Sequence, residues 1–380
     1  MIAVIVADVL GKENNGTTVA CMNLIRYLKS RGDTVRVVCC DRERKGEEGY
    51  YVVPQMNLGP LLNRIVRKNG VSLSRPKRPV LEEAVDGADV VHIMVPFLLG
   101  SMALKVAKAH GIPVTAGFHC QAENLTSHFC LMNSRLATAL TYKAFWHMFY
   151  RRTDAVHYPT EFIRNVFEKA VKHTTNAYVI SNGVNDRFLS QPGEKPESMR
   201  NEFVILYIGR YAREKSHGVL IRAVARSAYR DRIRLVFAGS GPRGERIRRL
   251  ADRCGILPPV MEFYSRDELV RVINYADLYC HPAEIELEGI ACLEALRCGL
   301  VPVIADSPRC ATRETAIDEK CLFRCNDPAD LAAKIDFWIT HGELKAEYSR
   351  KYIEKTAGCS QASCMAAMRG MLTDVIGEKV

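Results

Sequence analysis

No zinc-type spacing occurs anywhere in this sequence. Its fourteen cysteines stand singly or as Cys39-Cys40, without a Cys-x-x-Cys pair or a Cys/His cluster, so they read as reduced thiols and not as metal ligands or a disulfide framework. No Asp-x-Asp follows a strand-like segment, where a metal-bound diphosphate would require one. No apolar run is long enough to cross a bilayer: the longest uncharged one, residues 90–104, contains His92, Pro96 and Gly100 and falls short of the roughly 18–20 residues needed. The first residues have no basic region and meet Asp8 after one short apolar run, which predicts a first strand, not a signal peptide, and a cytoplasmic chain. Low-complexity tracts and fixed-period repeats are also missing, which excludes disordered, fibrous and solenoid architectures.

What is present is 380 residues, 48% of them hydrophobic, enough for two cores of ordinary size. Short β-branched runs alternate with helical patterns throughout, the sequence form of parallel βαβ units covered on both faces, so the class is α/β. Strand candidates fall at 2–7, 34–39, 90–94, 114–118, 155–158 and 177–180, and a second set at 203–208, 234–238, 260–263, 278–280 and 301–304. Between the sets, residues 182–202 are polar and interrupted by Pro192 and Pro196, as linkers are. This predicts a Rossmann-like domain over 1–190, a second over 200–360, and a helix at about 361–380 packing back on the first. Two doubly wound sheets are expected to face across a cleft, with ligands beyond the carboxyl ends of their strands. The net charge of +10 suits anionic partners without choosing among them.

The most specific stretch runs from Glu286 to Val303 and carries Glu286 and Glu294 eight residues apart, with Gly289 between them. It follows a strand and the turn His281-Pro282-Ala283, so Glu286 falls in a loop and Gly289 opens a helix. Amides of Gly289 and Ile290 at a helix start suit a diphosphate, Glu286 can accept from sugar hydroxyls, and Glu294 from a ribose diol. The alternative is that these carboxylates only favour a helix N-terminus and that Glu294 faces solvent. Gly209-Arg210 and Glu214-Lys215 follow another strand, and Gly239-Ser-Gly241-Pro-Arg-Gly244 a third. The last matches the dinucleotide pattern G-x-G-x-x-G, with Glu262 near the ribose-binding distance, which opens an NAD-dependent oxidoreductase as a rival. Position weakens that rival, because the pattern follows the second strand of its set and not the first.

Together these stretches resemble the glycosyltransferase family 4 enzymes of GT-B fold, through the Glu-x7-Glu element at Glu286 and Glu294, Cys298-Gly299, Pro302-Val303, and the Gly-Arg…Glu-Lys element. The resemblance implies that Arg210 and Lys215 hold a donor diphosphate, that Gly239 and Gly241 border the nucleotide, and that the reaction retains configuration without a metal or other cofactor. It also implies that His119, at the end of the strand 114–118, lies beside the transferred sugar, where its carbonyl and ring stabilise charge at the anomeric carbon. Gly16, after the loop Asn14-Asn15, is expected either to let that loop approach the donor or to shape a tight turn. His92 reads equally as structural or functional. Leu287 and Glu288 depart from the family pattern and leave the donor sugar open.

Residues 55–80 carry Arg64, Arg67, Lys68, Arg75, Lys77 and Arg78 and no acid, with Leu58, Leu61, Leu62, Ile65 and Val66 giving an apolar face. A basic amphipathic helix here either lies on an anionic membrane, each cation adding about 1 kcal/mol, or packs on the domain. Tyr142, Phe145, Trp146, Phe149 and Tyr150 either wall an acceptor channel or fill a core, and the four-residue spacing of Phe145 and Phe149 favours the core. No nucleic-acid motif accompanies them, so no nucleic-acid partner is expected. The expected function is transfer of a hexose from a nucleotide sugar, UDP- rather than GDP-linked, to a membrane lipid such as diacylglycerol, peripherally on the inner face of the cell membrane. A soluble or polyprenyl-linked saccharide acceptor, the oxidoreductase, and a non-catalytic sugar-binding protein are the alternatives.

Overall fold

The computed structural model describes residues 1–8, 10, 16–57, 59, 73–127 and 134–378. The chain divides into two compact units, Met1–Gly183 with Gln361–Val380, and Val184–Ser360. The first unit therefore ends before residue 190. Val184 and Phe188 are fully buried in the core of the second unit, so the first residues of the expected linker belong to that unit. Arg64, Arg67 and Lys68, and the Asn14-Asn15 loop, lie outside the described residues.

Unit 1 is a seven-stranded parallel sheet. Its strands are β1 (Ile2–Val6), β2 (Thr34–Cys39), β3 (Tyr50–Val52), β4 (Val90–Ile93), β5 (Val114–Gly117), β6 (Ala155–Tyr158) and β7 (Ala177–Val179), in the order β3-β2-β1-β4-β5-β6-β7. Central strands β4, β5 and β6 are buried at every residue, as expected of strands covered by helices on both faces. Helices α1 (Gly16–Ser30), α2 (Arg78–Val85), α3 (Leu98–Ala109), α4 (Ala122–Ser127), α5 (Arg135–Met148) and α6 (Glu161–Val171) supply the cover.

Unit 2 is a six-stranded parallel sheet of β8 (Phe203–Ile208), β9 (Ile233–Ala238), β10 (Val260–Glu262), β11 (Leu278–His281), β12 (Pro302–Asp306) and β13 (Leu322–Arg324), in the order β10-β9-β8-β11-β12-β13. Helices α7 (His217–Val224), α8 (Gly244–Cys254), α9 (Arg266–Tyr275), α10 (Ile290–Arg297), α11 (Pro328–Thr340) and α12 (Gly342–Thr356) surround it. In both units the chain order reverses at one point, between β1 and β4 and between β8 and β11. Loops leaving the carboxyl ends of those strands diverge there and leave room for a ligand.

The last helix, α13 (Gln361–Gly377), returns to unit 1 as the sequence predicts. Met365, Met368, Met371 and Leu372 are buried in the same core cluster as Ile25 and Leu28 of α1. Arg369 closes the contact, its Nε and Nη2 lying 2.7 and 3.0 Å from the Asp33 carboxylate. Among the described residues no helix is long and apolar enough to cross a membrane.

Candidate active site

At the reversal point of unit 2, three loops are laced together. The loop after β8 carries Gly209 to Ser216, the loop after β9 carries Gly239 to Arg243, and the loop after β11 carries Pro282 to Gly289. Backbone bonds join the first two: Gly209 N donates to Ala238 O at 3.0 Å, and Tyr211 N to Ser240 O at 2.9 Å. A Cβ on Gly239 would collide with the carbonyl oxygen of Gly209, and one on Gly241 would sit 2.7 Å from Tyr211 N. Close approach of two main chains therefore accounts for both glycines without a dinucleotide. The G-x-G-x-x-G pattern also follows β9, one strand away from the reversal between β8 and β11, which is where such a fingerprint would have to lie.

Loops one and three are joined by charge. Lys215 Nζ donates to Glu286 Oε2, and Ser216 Oγ to Glu284 Oε1 at 3.2 Å, while Glu284 N donates to Glu214 O at 2.9 Å. Burial works against the Lys215 ammonium, but the Glu286 carboxylate outweighs it and holds the pKa above the usual lysine range. The same balance acts on Glu286: burial raises its carboxyl, and Lys215 and His281 bring it below the ordinary value. Both groups are thus charged at neutral pH. His281, at the end of β11, has Nε2 3.8 Å from Glu286 and Nδ1 3.1 Å from the Tyr279 hydroxyl, and burial pushes it down to about 4, so its ring is neutral. Arg210 Nη2 lies 3.2 Å from Glu214, with its side chain 35% exposed and open to an anion.

Gly289 is the N-cap of α10, with φ of +80°. An added Cβ there would run into the Thr312 side chain and come within 3.3 Å of Glu286 Cγ. Gly289→Ala is therefore expected to destabilise unit 2 by about 2–4 kcal/mol, from left-handed strain plus overpacking, read as a lower urea midpoint at unchanged slope. Ile290 follows at the first helical position, so the group Arg210, Lys215, Glu286, Gly289 and Ile290 is brought together within one unit.

Glu294 is set apart from that group. It is 4% exposed, which removes the solvent-facing reading, and its Oε1 lies 2.6 Å from Arg266 Nη1 at the start of α9. Burial raises its carboxyl, and Arg266 offsets part of the rise. Glu288 is also buried, at 5% exposure. Phe263, just beyond β10, is 67% exposed, and its neighbour Glu262 accepts from Gly239 N through its carbonyl at 2.7 Å. An exposed ring beside that glycine is a candidate surface for a base; in the sequence it is only the last residue of a strand-like run.

In unit 1, His119 is 8% exposed and its ring folds back over Gly117, where a Cβ would sit 2.5 Å from Nε2. Burial, with His157 and His92 adding, holds it well below the ordinary histidine value, so it acts as a neutral ring. His92 is fully buried, with Nδ1 2.8 Å from Thr115 Oγ1. Gly16 begins α1, and a Cβ there would meet no atom of the described residues within 4 Å. Asp8 lies two residues beyond β1, at this unit's reversal point. Its Oδ1 accepts from Ser74 N at 2.9 Å, and burial pushes its pKa up to about 6.

The aromatic helix fills a core. Tyr142, Phe149 and Tyr150 are at most 2% exposed and Phe145 is 8% exposed, and Phe118 stacks among Tyr142, Tyr150, Tyr158 and Phe167 at centroid distances of 4.7–6.4 Å. The opposite face of α5 carries Leu136, Leu140 and Met148 at 70%, 57% and 63% exposure, beside exposed Arg135 and Lys143. No acid occurs from 134 to 153, a signal already present in the sequence.

Two families match the chain: the one described as Glycosyltransferase Family 4 over residues 14–188, and the one described as Glycosyl transferases group 1 over residues 190–356. The alpha-monoglucosyldiacylglycerol synthase of Acholeplasma laidlawii is 25% identical over 232 residues, covering 57% of this chain and 58% of that protein. Sulfoquinovosyl transferase SQD2 of Arabidopsis thaliana is 26% identical over 298 residues, covering 74% of this chain and 55% of that protein. The chain thus spans little more than half the length of these relatives. The crystal structure of Anabaena Alr3699/HepE in complex with UDP and glucose superposes with a TM-score of 0.75 at 14% identity, covering 98% of this chain and 100% of that one, a likeness of fold. With matches over both units and a shared architecture along its length, the chain belongs to glycosyltransferase family 4, of GT-B fold.

Proposed function

We propose that the chain is a retaining hexosyltransferase that takes its sugar from a nucleotide donor, UDP- rather than GDP-linked, and passes it to the hydroxyl of a membrane lipid such as diacylglycerol. The observation that carries the reading is the Lys215–Glu286 pair beside the α10 start, with Arg210 on the same loop as Lys215, at the reversal point of a nucleotide-type sheet. Two side-chain cations and helix-start amides suit a diphosphate, and they supply the positive field that a metal would otherwise provide. As the anomeric C–O bond breaks, the electron pair goes to the leaving phosphate, which these groups neutralise. The acceptor oxygen bonds to the anomeric carbon on the face the phosphate vacates, and its proton passes to that phosphate. Glu286 accepts from sugar hydroxyls, Glu294 from the ribose diol, and Gly239 and Gly241 border the nucleotide. Gly16 and His119 are assigned to the donor and its sugar from unit 1, with His119 acting as a neutral dipole.

The lipid acceptor is supported by the exposed face of α5, where three apolar side chains stand among cations without a neighbouring acid, the composition of a surface that rests on anionic headgroups. The name of the first relative above, an alpha-monoglucosyldiacylglycerol synthase, points the same way. Arg64, Arg67 and Lys68 are assigned to the same contact.

A panel of UDP- and GDP-sugars tests the reading by heat protection, with and without EDTA, followed by turnover on vesicles. Protection by a UDP-sugar that EDTA leaves unchanged is expected, with activity on phosphatidylglycerol vesicles containing diacylglycerol that Leu136→Glu/Leu140→Glu lowers. Protection only with a divalent metal, or by NAD in place of any nucleotide sugar, would discard the mechanism. Equal turnover on soluble saccharides without vesicles would favour the other acceptor.

A further inference from the structure

Unit 2 holds a second cationic cavity. About 220 Å³ in volume, it opens between the starts of α7 and α8 and is walled by Arg213, Arg222, Arg243 and Arg246, with His217 and Asn326 completing it. None of Arg210, Lys215, Glu286, Gly289 or Glu294 lines it.

The four guanidinium groups differ from most arginines of the unit. Arg234 grips Glu202 with two bonds of 2.8 and 2.6 Å, Arg309 lies 3.0 Å from Glu284, and Arg297 lies 3.1 Å from Asp186. No salt bridge to Arg213, Arg222, Arg243 or Arg246 occurs among the described residues. Glu284, which also lines the cavity, is bonded to Arg309 and Ser216, and Glu214 to Arg210. Burial, then Arg246 and Arg213, hold the Arg243 pKa below its ordinary value, which marks a cluster of like charges. Such a cluster repels itself unless an anion occupies it.

His217 gives an independent sign. It lines the cavity, is 2% exposed, and neither of its ring nitrogens has a hydrogen-bond partner. Its ring is held among Tyr207, Tyr211 and Phe237 at centroid distances of 4.7, 5.2 and 5.1 Å, which fixes its direction. A buried imidazole with both nitrogens unmatched is unfavourable, and a ligand oxygen at the cavity floor would relieve it. His217 and Gly218 also begin α7, so helix-start amides face the same space.

We propose that this cavity is a binding site for a phosphomonoester carried on a small polar body, next to the donor loops but lined by none of the side chains assigned to the donor. Forked guanidinium groups match phosphate oxygens in pairs, and the dianion satisfies several at once. Asn326 and His217 bond the attached hydroxyls or the remaining phosphate oxygen. The volume admits a phosphate with a glycerol-sized body, whether free or as a lipid headgroup.

Calorimetric titration of inorganic phosphate into the full chain tests the assignment. Saturable binding is expected in the parent protein and in Arg210→Gln, and a loss of roughly tenfold or more in affinity in Arg243→Gln/Arg246→Gln. Arg213→Gln/Arg222→Gln is expected to behave alike, so a folding defect in one pair does not decide the matter. Loss in Arg210→Gln with retention in both pairs would move the anion to the donor loop and overturn the proposal. Absence of saturable binding in the parent protein, or equal affinity in all variants, would also overturn it. Glycerol 3-phosphate and vesicles of phosphatidylcholine with or without phosphatidic acid then separate the sources. Binding of either, lost in the paired variants, supports the class, and binding of neither refutes it. Because Arg210→Gln disables the donor loop and leaves the cavity intact, failure here is distinct from failure of the donor reading.

Discussion

Lys215→Met is expected to lower kcat/KM by about 10²–10³-fold and to weaken UDP binding, because it removes one of two side-chain cations proposed to meet the leaving diphosphate. It should also destabilise unit 2, since Glu286 would keep its buried carboxylate beside a neutral His281. Breaking a buried pair costs about 3–5 kcal/mol, and with about a fifth of each side chain exposed (19% and 21%) the lower end applies. Adding Glu286→Gln separates the two effects. The double variant should regain most of the stability, because no unpaired charge remains, but none of the binding. Urea unfolding and UDP calorimetry on the parent, Lys215→Met, Glu286→Gln and the double variant measure both. A single variant that binds UDP as the parent does would end the donor assignment, and a double variant as unstable as the single would end the account of the pair.

The pairing behind that prediction shows what a sequence can and cannot carry. Glu286 and Lys215 are each legible, as a carboxylate before a helix-opening glycine and a cation after a strand. That the two neutralise each other across 71 positions depends on β8 and β11 being neighbours, which only the sheet order fixes. Strands such as β1 and β8 are legible because burial on both faces leaves an unbroken apolar run, whereas β3 and β13 are edge strands of three residues each. Arg266 and Glu294 are 28 residues apart, so the sequence leaves Glu294 free to be read as solvent-facing.

Glycines were legible as special positions but not for their reasons. Gly239 and Gly241 read as phosphate-binding from the pattern alone, yet each is already required by a main chain passing beneath it. A role at the nucleotide would be added to that constraint. The four arginines of the cavity are not legible as a group for a related reason: they come from two loops and two helices, and only folding brings them together. On α5 both faces were encoded, but the aromatic face drew the reading and the exposed leucines did not.

Acidification is expected to unfold the chain through its buried histidines. His92 and His217 are pushed down to about 3, and His157 and His281 to about 4, all chiefly by burial. Below pH 6.5 the unfolded chain takes up protons that these folded rings refuse, so stability is full above that pH and falls as the pH falls. At pH 5 each ring costs about 2 kcal/mol, or about 4 kcal/mol in each unit. In unit 1 His119, shifted the same way, adds to the loss. Asp8 opposes it: its pKa near 6 in the fold means that protonation relieves a strain present at pH 7, returning about 1 kcal/mol by pH 5. Against a typical domain stability of about 5–15 kcal/mol, losses of this size should bring the near-ultraviolet dichroism down between pH 6 and 5. His92→Gln should lower the pH slope of unit 1 by about one proton, or about 1.4 kcal/mol per pH unit. Equal urea stability of the parent protein at pH 7 and pH 5 would show that these rings are hydrated and free to protonate in the fold.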